Sequence, residues 1–183
     1  PEFGRLWIVH RLDKETSGII IFAKNADAHR QLSKQFEERC IKKVYHALIN
    51  RIPEWNEIWV EAPLLINGDR KHRTVSNELL GKPAKTNFSL IAATSAGALI
   101  SAQPFSGYRH QIRAHLRHIG LSILRDELYA SKEIEPQTST LPITRLALHA
   151  FSISLAHPAT HENMTLSAPY PEDFQLAASK ITG

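Results

Sequence analysis

His10-Arg11-Leu12-Asp13-Lys14-Glu15-Thr16-Ser17-Gly18 lies between two apolar runs, Leu6-Trp7-Ile8-Val9 and Ile19-Ile20-Ile21-Phe22. Short apolar runs rich in β-branched and aromatic residues read as buried strands. The segment between them carries Asp13, the cations Arg11 and Lys14, two hydroxyls and a glycine. A polar loop pinned between two core strands is where a rigid scaffold displays chemistry. Asp13 is the residue that needs an explanation.

Working outward, the chain has 183 residues, 43% hydrophobic and 22% charged, enough for one domain with a sizeable core. No apolar run approaches the ~20 residues that span a bilayer, so no membrane partner is expected. No basic stretch leads into an apolar one at the N-terminus, so no secretory signal is visible. Cys40 is the only cysteine, which fits a reducing, cytoplasmic location and excludes a multi-cysteine metal site. The net charge of +4 favours a polyanionic partner. Pro1-Glu2-Phe3 resembles a remnant of a cloning vector, and the chain does not begin with Met. Residues 1–3 are therefore read as foreign, and residues 4–183 as one domain lacking its N-terminal portion.

Residues 25–40 read as a helix capped by Asn25, with Ala28, Leu32 and Phe36 on one face. Residues 42–50 alternate around Val44, Ala47 and Ile49 as a strand, and residues 68–73 form a polar, basic turn. Residues 86–94 and 98–102 read as a hairpin. Residues 109–119 read as a helix stopped by Gly120. A polar loop over residues 131–142 precedes a strand pair at 145–157 and 164–168. A closing helix over residues 171–181 has Pro171 near its start. Strands outnumber helices and often follow one another directly, which favours an α+β fold over repeated βαβ units.

Three clusters carry candidate chemistry. A surface carboxylate among bases is ordinarily a solvated ion pair worth ~0–1 kcal/mol. Between core strands, a carboxylate kept ionised by a nearby cation can serve as nucleophile or base. On the helix over 109–119, Arg109, Arg113 and Arg117 form a basic stripe beside the apolar stripe of Ile112, Leu116 and Ile119. Arg113, next to the core edge, is expected to pair with a buried acid, Asp13 being the natural candidate. Tyr45 falls opposite Val44 on its strand, either packed in the core or presented to a cleft where its ring can stack on a planar base. His157 and His161 have ligand-like spacing, but they flank a Pro-containing turn without a third ligand, so no metal site is expected. His10 is expected to orient the Asp13 loop, and His110 to cap a helix start.

In this order the clusters resemble the signatures of the RluA-type pseudouridine synthases. Those read His-Arg-Leu-Asp-x-x-Thr-Ser-Gly, Lys-x-Tyr-x-Ala and Gly-Arg-x-His-Gln-Ile-Arg-x-His-Leu. The chain has the first in full at 10–18, the second at 43–47, and the third at 107–116 with Tyr108 in place of arginine. Ile123-Leu124 with Asp126 and Tyr129, Arg145-Leu146-Ala147-Leu148-His149-Ala150, and His157-Pro158 ahead of Ala168-Pro169 also look like the family. Arg125 stands where the family has glycine, and Leu121-Ser122 where it has a His-Pro-like pair. The resemblance implies one domain built on a mixed, largely antiparallel sheet flanked by helices, with an active cleft across the sheet.

It also implies isomerisation of uridine to pseudouridine in rRNA or tRNA, without metal or cofactor. By position, Asp13 is the catalytic aspartate, Tyr45 the ring on the target uracil, and Arg113 the cation paired with the aspartate. Arg11 fills the gap left by the extruded base. Thr16, Arg109, His110 and Ile112 complete the substrate-binding set, with Arg109 taking over phosphate contact from the arginine that Tyr108 replaces. Three roles suit Asp13: attack on the sugar at C1′, attack on the base, or removal of the C2′ proton. Two competing readings are a non-catalytic RNA-binding module of the same family and a magnesium-dependent aspartyl phosphohydrolase. In the latter, the aspartate would directly follow an apolar strand, whereas His10 and Arg11 intervene here.

Overall fold

The computed structural model describes residues 4–130 and 141–183. The vector-like residues 1–3, and residues 131–140 of the loop expected over 131–142, lie outside the described residues. The first helix, α1 (Ala26–Glu37), begins where the sequence places it, with the Asn25 Oδ1 accepting from the Ala28 N–H at 2.8 Å. Its apolar face puts Leu32, 3% exposed, among Ala23, Ile41, Ile153 and Leu155, with Ala28 and Phe36 packed beside them. The chain leaves α1 through Arg39, whose φ of 57° is the left-handed conformation that ends helices.

A seven-stranded sheet forms the body. It is built from β2 (Ser17–Gly18), β4 (Lys42–Ile49), β5 (Glu57–Glu61), β8 (Lys85–Thr94), β9 (Gly97–Pro104), β10 (Leu148–Ala156) and β11 (Asn163–Ser167). The strand order is β11-β10-β4-β9-β8-β5, all antiparallel, and β2 joins β10 in parallel. The hairpin expected over 86–102 is β8 and β9. Small ribbons flank the sheet: β1 (Trp7–Ile8) with β3 (Phe22–Ala23), and β6 (Leu64–Leu65) with β7 (Val75–Ser76). Two further helices, α2 (Gln111–His118) and α3 (Glu172–Thr182), contribute Ile112, Leu116, Phe174 and Ala177 to a core with Leu48, Phe88 and Ile100. Each such large apolar side chain contributes about 1.5–3 kcal/mol of burial. The fold is α+β with a mixed sheet, as expected.

The apolar runs around the Asp13 loop are not buried strands. The first holds two residues of regular strand, Trp7 and Ile8, the second only Phe22, and Ile8 is 69% and Phe22 41% exposed. Trp7, Val9, Ile19, Ile21 and Ala23 face α1, while Leu6, Ile8, Ile20 and Phe22 face out. A run that is apolar at every position does not reveal which of its two faces lacks a cover. The part that enters the main sheet lies inside the polar stretch itself. Ser17 pairs with His149 and Gly18 with Ala150, and the Ile19 N–H donates to the Ala150 carbonyl at 3.0 Å. From Ser152 onward the same edge of β10 is taken by β11.

Gly18 is fixed by this joint. Its φ is +112°, and a Cβ there would lie 2.2 Å from the Ala150 carbonyl oxygen. Backbone cannot yield as a flexible side chain would. Gly18→Ala is expected to destabilise the fold by about 3 kcal/mol or more, from overpacking and backbone strain together. A denaturant midpoint equal to that of the wild type would contradict this.

Candidate active site

A cleft of about 450 Å³ opens where the Asp13 loop, the end of α1, β4 and the start of α2 meet. Asp13, Tyr45, Arg113, Arg11, Thr16, Arg109, His110 and Ile112 all line it. Residues 100 apart in the chain are brought together because β2 docks the loop on β10 while α2 begins beside it. Three contacts hold the loop. His10 Nε2 accepts from the Ile21 N–H at 2.9 Å, and its ring stacks on Phe36, so it does orient the loop. The Thr16 N–H closes a turn onto the Asp13 carbonyl at 3.0 Å. Ser17 Oγ meets His149 Nδ1 at 2.9 Å and accepts from Arg145 Nη1 at 3.1 Å, and Arg145 is itself held by Asp173 at 2.8 Å.

Arg113 is buried and shared by two acids. Its Nε and Nη2 donate to the two carboxylate oxygens of Asp126 at 2.8 and 2.7 Å, a planar two-pronged pair. Its Nη1 reaches Asp13 Oδ2 at 3.4 Å. The expected Arg113–Asp13 contact therefore exists, but the tight partner is Asp126, whose side chain is wholly buried. Burial opposes the Arg113 charge, and the hydrogen bonds and charge of Asp126, then of Asp13, outweigh it and raise the guanidinium pKa. The Tyr129 ring lies 4.9 Å below the guanidinium. The Tyr129 hydroxyl donates to the Thr74 carbonyl and accepts from the Thr74 N–H. Burial pushes its pKa up to about 12.

Tyr45 is half-buried in the cleft wall, and burial, aided by the negative charge of Asp13, raises its hydroxyl to about 12. It is a neutral ring at ordinary pH. His110 does not cap α2 with its side chain. It occupies the N-cap position at φ 56°, and its imidazole lies 3.2 Å from the Tyr129 hydroxyl and 3.8 Å from Asp13. Burial lowers its pKa, against the pull of Asp13. Arg109 precedes the helix, so the basic stripe expected along α2 is broken at its first member. Its guanidinium is exposed and donates to Asn67 Oδ1 at 3.0 Å, and its carbonyl accepts from Thr74 Oγ1. Arg11 is exposed, Ile112 is buried, and the Thr16 Oγ1 is buried without a hydrogen-bond partner among the described residues.

Gln111 saturates every polar atom of its amide. It accepts from Ser106 Oγ and the Tyr108 N–H and donates to the Lys85 carbonyl and Thr86 Oγ1, fastening the cleft segment to β8. His115 is structural, between Thr86 Oγ1 and the Ala62 carbonyl. His157 and His161 lie in the turn between β10 and β11, where His157 Nδ1 accepts from the Thr160 N–H. Arg125 adopts φ 60°, the conformation glycine takes freely. Asp126 and Tyr129 did not stand out as site residues in the sequence. The signal was there: an acid next to the apolar Leu121, Ile123 and Leu124 must find a buried cation.

The model of a family described as RNA pseudouridylate synthase matches residues 3–118. The chain is 40% identical over 173 residues to ribosomal large subunit pseudouridine synthase C of Pasteurella multocida, covering 92% of this chain and 52% of that protein. It is 36% identical over 187 residues to the protein of the same name from Escherichia coli K12, covering 99% and 58%. The chain thus spans little more than half the length of the curated relatives it matches. Among solved structures, human RNA pseudouridylate synthase domain containing 4 superposes with a TM-score of 0.81 at 25% identity, covering 100% of this chain and 78% of that one. Human RNA pseudouridylate synthase domain containing 1 gives 0.78 at 24%, covering 93% and 71%, a likeness of fold.

The two acids on Arg113 are expected to differ in kind. Asp126→Asn leaves a buried guanidinium without its charge partner and should destabilise the fold by about 3 kcal/mol. Asp13→Asn, at a long and partly solvated contact, should change stability by less than about 1 kcal/mol. Urea unfolding of both variants decides it, and equal losses would contradict the assignment of Asp126 as the clamp.

Proposed function

The chain belongs to the RNA pseudouridylate synthase family, and from that premise we propose that it isomerises uridine in RNA to pseudouridine with Asp13 as the reacting carboxylate. The observation that carries this reading is the placement of the Asp13 carboxylate in the cleft, beside an arginine already fixed by Asp126 and close enough to Tyr45 to perturb it. The names of the bacterial relatives favour large-subunit ribosomal RNA as the substrate over tRNA. The single cysteine supports a cytoplasmic setting. The reaction needs no metal or cofactor, because a carboxylate, a stacking ring and a shaped cleft supply its chemistry.

A uridine in structured RNA must first leave its stack, at a cost of a few kcal/mol. Tyr45 offsets that cost by stacking on the uracil, an interaction worth ~1–3 kcal/mol, and Arg11 enters the space the base vacates. The neutral phenol suits a stacking role. Asp13 then acts on the nucleoside. Arg113 acts on it as a fixed positive charge that needs no reorganisation, since Asp126 already holds its other edge. The cleft volume suits one nucleoside. The detached uracil has to turn without escaping, which Ile112 and the ring of Tyr45 favour by walling the pocket. His110 is available for a hydrogen bond to the nucleotide, Thr16 lines the same cleft, and exposed Arg109 is available for the phosphates.

Incubation with a uridine-containing fragment of large-subunit rRNA, followed by nucleoside analysis, tests the proposal. The wild type should form pseudouridine. Asp13→Asn should lose at least about 10³-fold in rate while binding RNA within about threefold of the wild type. Equal activity in Asp13→Asn would overturn the mechanism. RNA binding without pseudouridine in the wild type would favour the non-catalytic module.

A further inference from the structure

Among the cleft cations that take no part in holding Asp13 is Lys43. Lys43 stands two residues before Tyr45 on β4, so the two side chains leave the same face of the strand, with Cα atoms about 6.6 Å apart. Both line the cleft. The Lys43 ammonium is half-buried and donates to the Ser106 carbonyl at 3.0 Å, and it makes no ion pair with a carboxylate among the described residues. Beside it the backbone opens at Gly107: a Cβ added there would find the Lys43 Nζ, at 3.7 Å, as its only neighbour within 4 Å.

The charges around Lys43 are mostly of its own sign. Arg11, Arg39 and Arg109 line the same cleft, against Asp13 and Glu37. Burial, and then the charge of Arg39, lower the Lys43 pKa to about 8, and burial, then Lys43, lower that of His10. A partly desolvated ammonium with one carbonyl partner and like charges around it gains from an arriving anion. In RNA the anion regularly spaced from each base is the backbone phosphate.

We propose that Lys43 binds the backbone phosphate of the nucleotide whose base lies on Tyr45. The strand then reads one nucleotide with two alternate residues, the base by a ring and the phosphate by a cation. This rests on the reading of Tyr45 as the base platform. Lys43 is a positioning residue here: it fixes the sugar between its two ends, opposite Asp13.

The test is a short RNA substrate carrying one uncharged methylphosphonate at a time, bound by the wild type, Lys43→Met and Lys43→Arg. Wild-type affinity should fall about tenfold at one phosphate. Lys43→Met should fall about tenfold on unmodified RNA, lose about 0.7–0.9 from the slope of log affinity on log salt, and show no further loss at that phosphate. Lys43→Arg should recover most of the affinity, which separates a lost contact from a damaged fold. If Lys43→Met remains as sensitive as the wild type at every phosphate, the proposal is overturned. Coupling at one phosphate in a chain that forms no pseudouridine supports Lys43 and overturns the catalytic reading. Pseudouridine formation without coupling does the reverse.

Discussion

The arrangement of the cleft depends on how one guanidinium is divided. Arg113 has five N–H donors in a rigid plane. Asp126 takes the Nε and Nη2 edge at 2.8 and 2.7 Å, and what remains, Nη1, faces Asp13 at 3.4 Å. A buried arginine cannot be left unpaired, so Asp126 settles both the stability of the site and the direction of its residual charge. Were Asp13 the tight partner, its oxygens would be occupied by the pair. The long contact leaves a carboxylate near a fixed charge and open to the cleft, which is what the proposed chemistry requires.

The rest of the fold delivers Asp13 to that point. Gly18 gives close approach to the Ala150 backbone, so the polar loop becomes a short strand of the main sheet. Behind it, Ser17, His149, Arg145 and Asp173 form a chain of polar contacts from the loop to α3. In front, Gln111 fastens residues 106–108 to β8. The loop and the helix that face each other across the cleft are thus tied to adjoining parts of one sheet, and their separation is set by that sheet.

Much of this was legible in the sequence where the pattern was local. Asn25 capping α1, the span of β4, the hairpin of β8 and β9, and the helix start near Gln111 follow from short-range rules, whereas the alternation expected in β4 is absent, since Ala47, Leu48 and Ile49 are all buried. Asp13, Tyr45 and Arg113 were found as polar residues in positions bounded by apolar ones. What could not be read was pairing at a distance. Nothing local marks Ser17 and Gly18 as a strand, since two residues have no period, and only the Ala150 backbone makes them one. The exposure of Ile8 and Phe22 is invisible in a run apolar on both faces. Asp126 sits 13 residues from Arg113, and its claim on the guanidinium follows from burial, which the sequence states only indirectly. His110 stands at the N-cap of α2 as expected, but makes no side-chain capping bond, its backbone being left-handed and its ring lying against the Tyr129 hydroxyl.

The central claim is that Asp126 acts on catalysis only by holding Arg113 toward Asp13. Single-turnover rates of pseudouridine formation in the cycle of wild type, Asp126→Asn, Arg113→Lys and the double variant test it most directly. Lysine cannot present two parallel donors, so Arg113→Lys already removes the clamp. The rate of the double variant is predicted to match that of Arg113→Lys within about twofold, the losses being far from additive. Losses that multiply would mean that the two residues act independently, and would contradict the account.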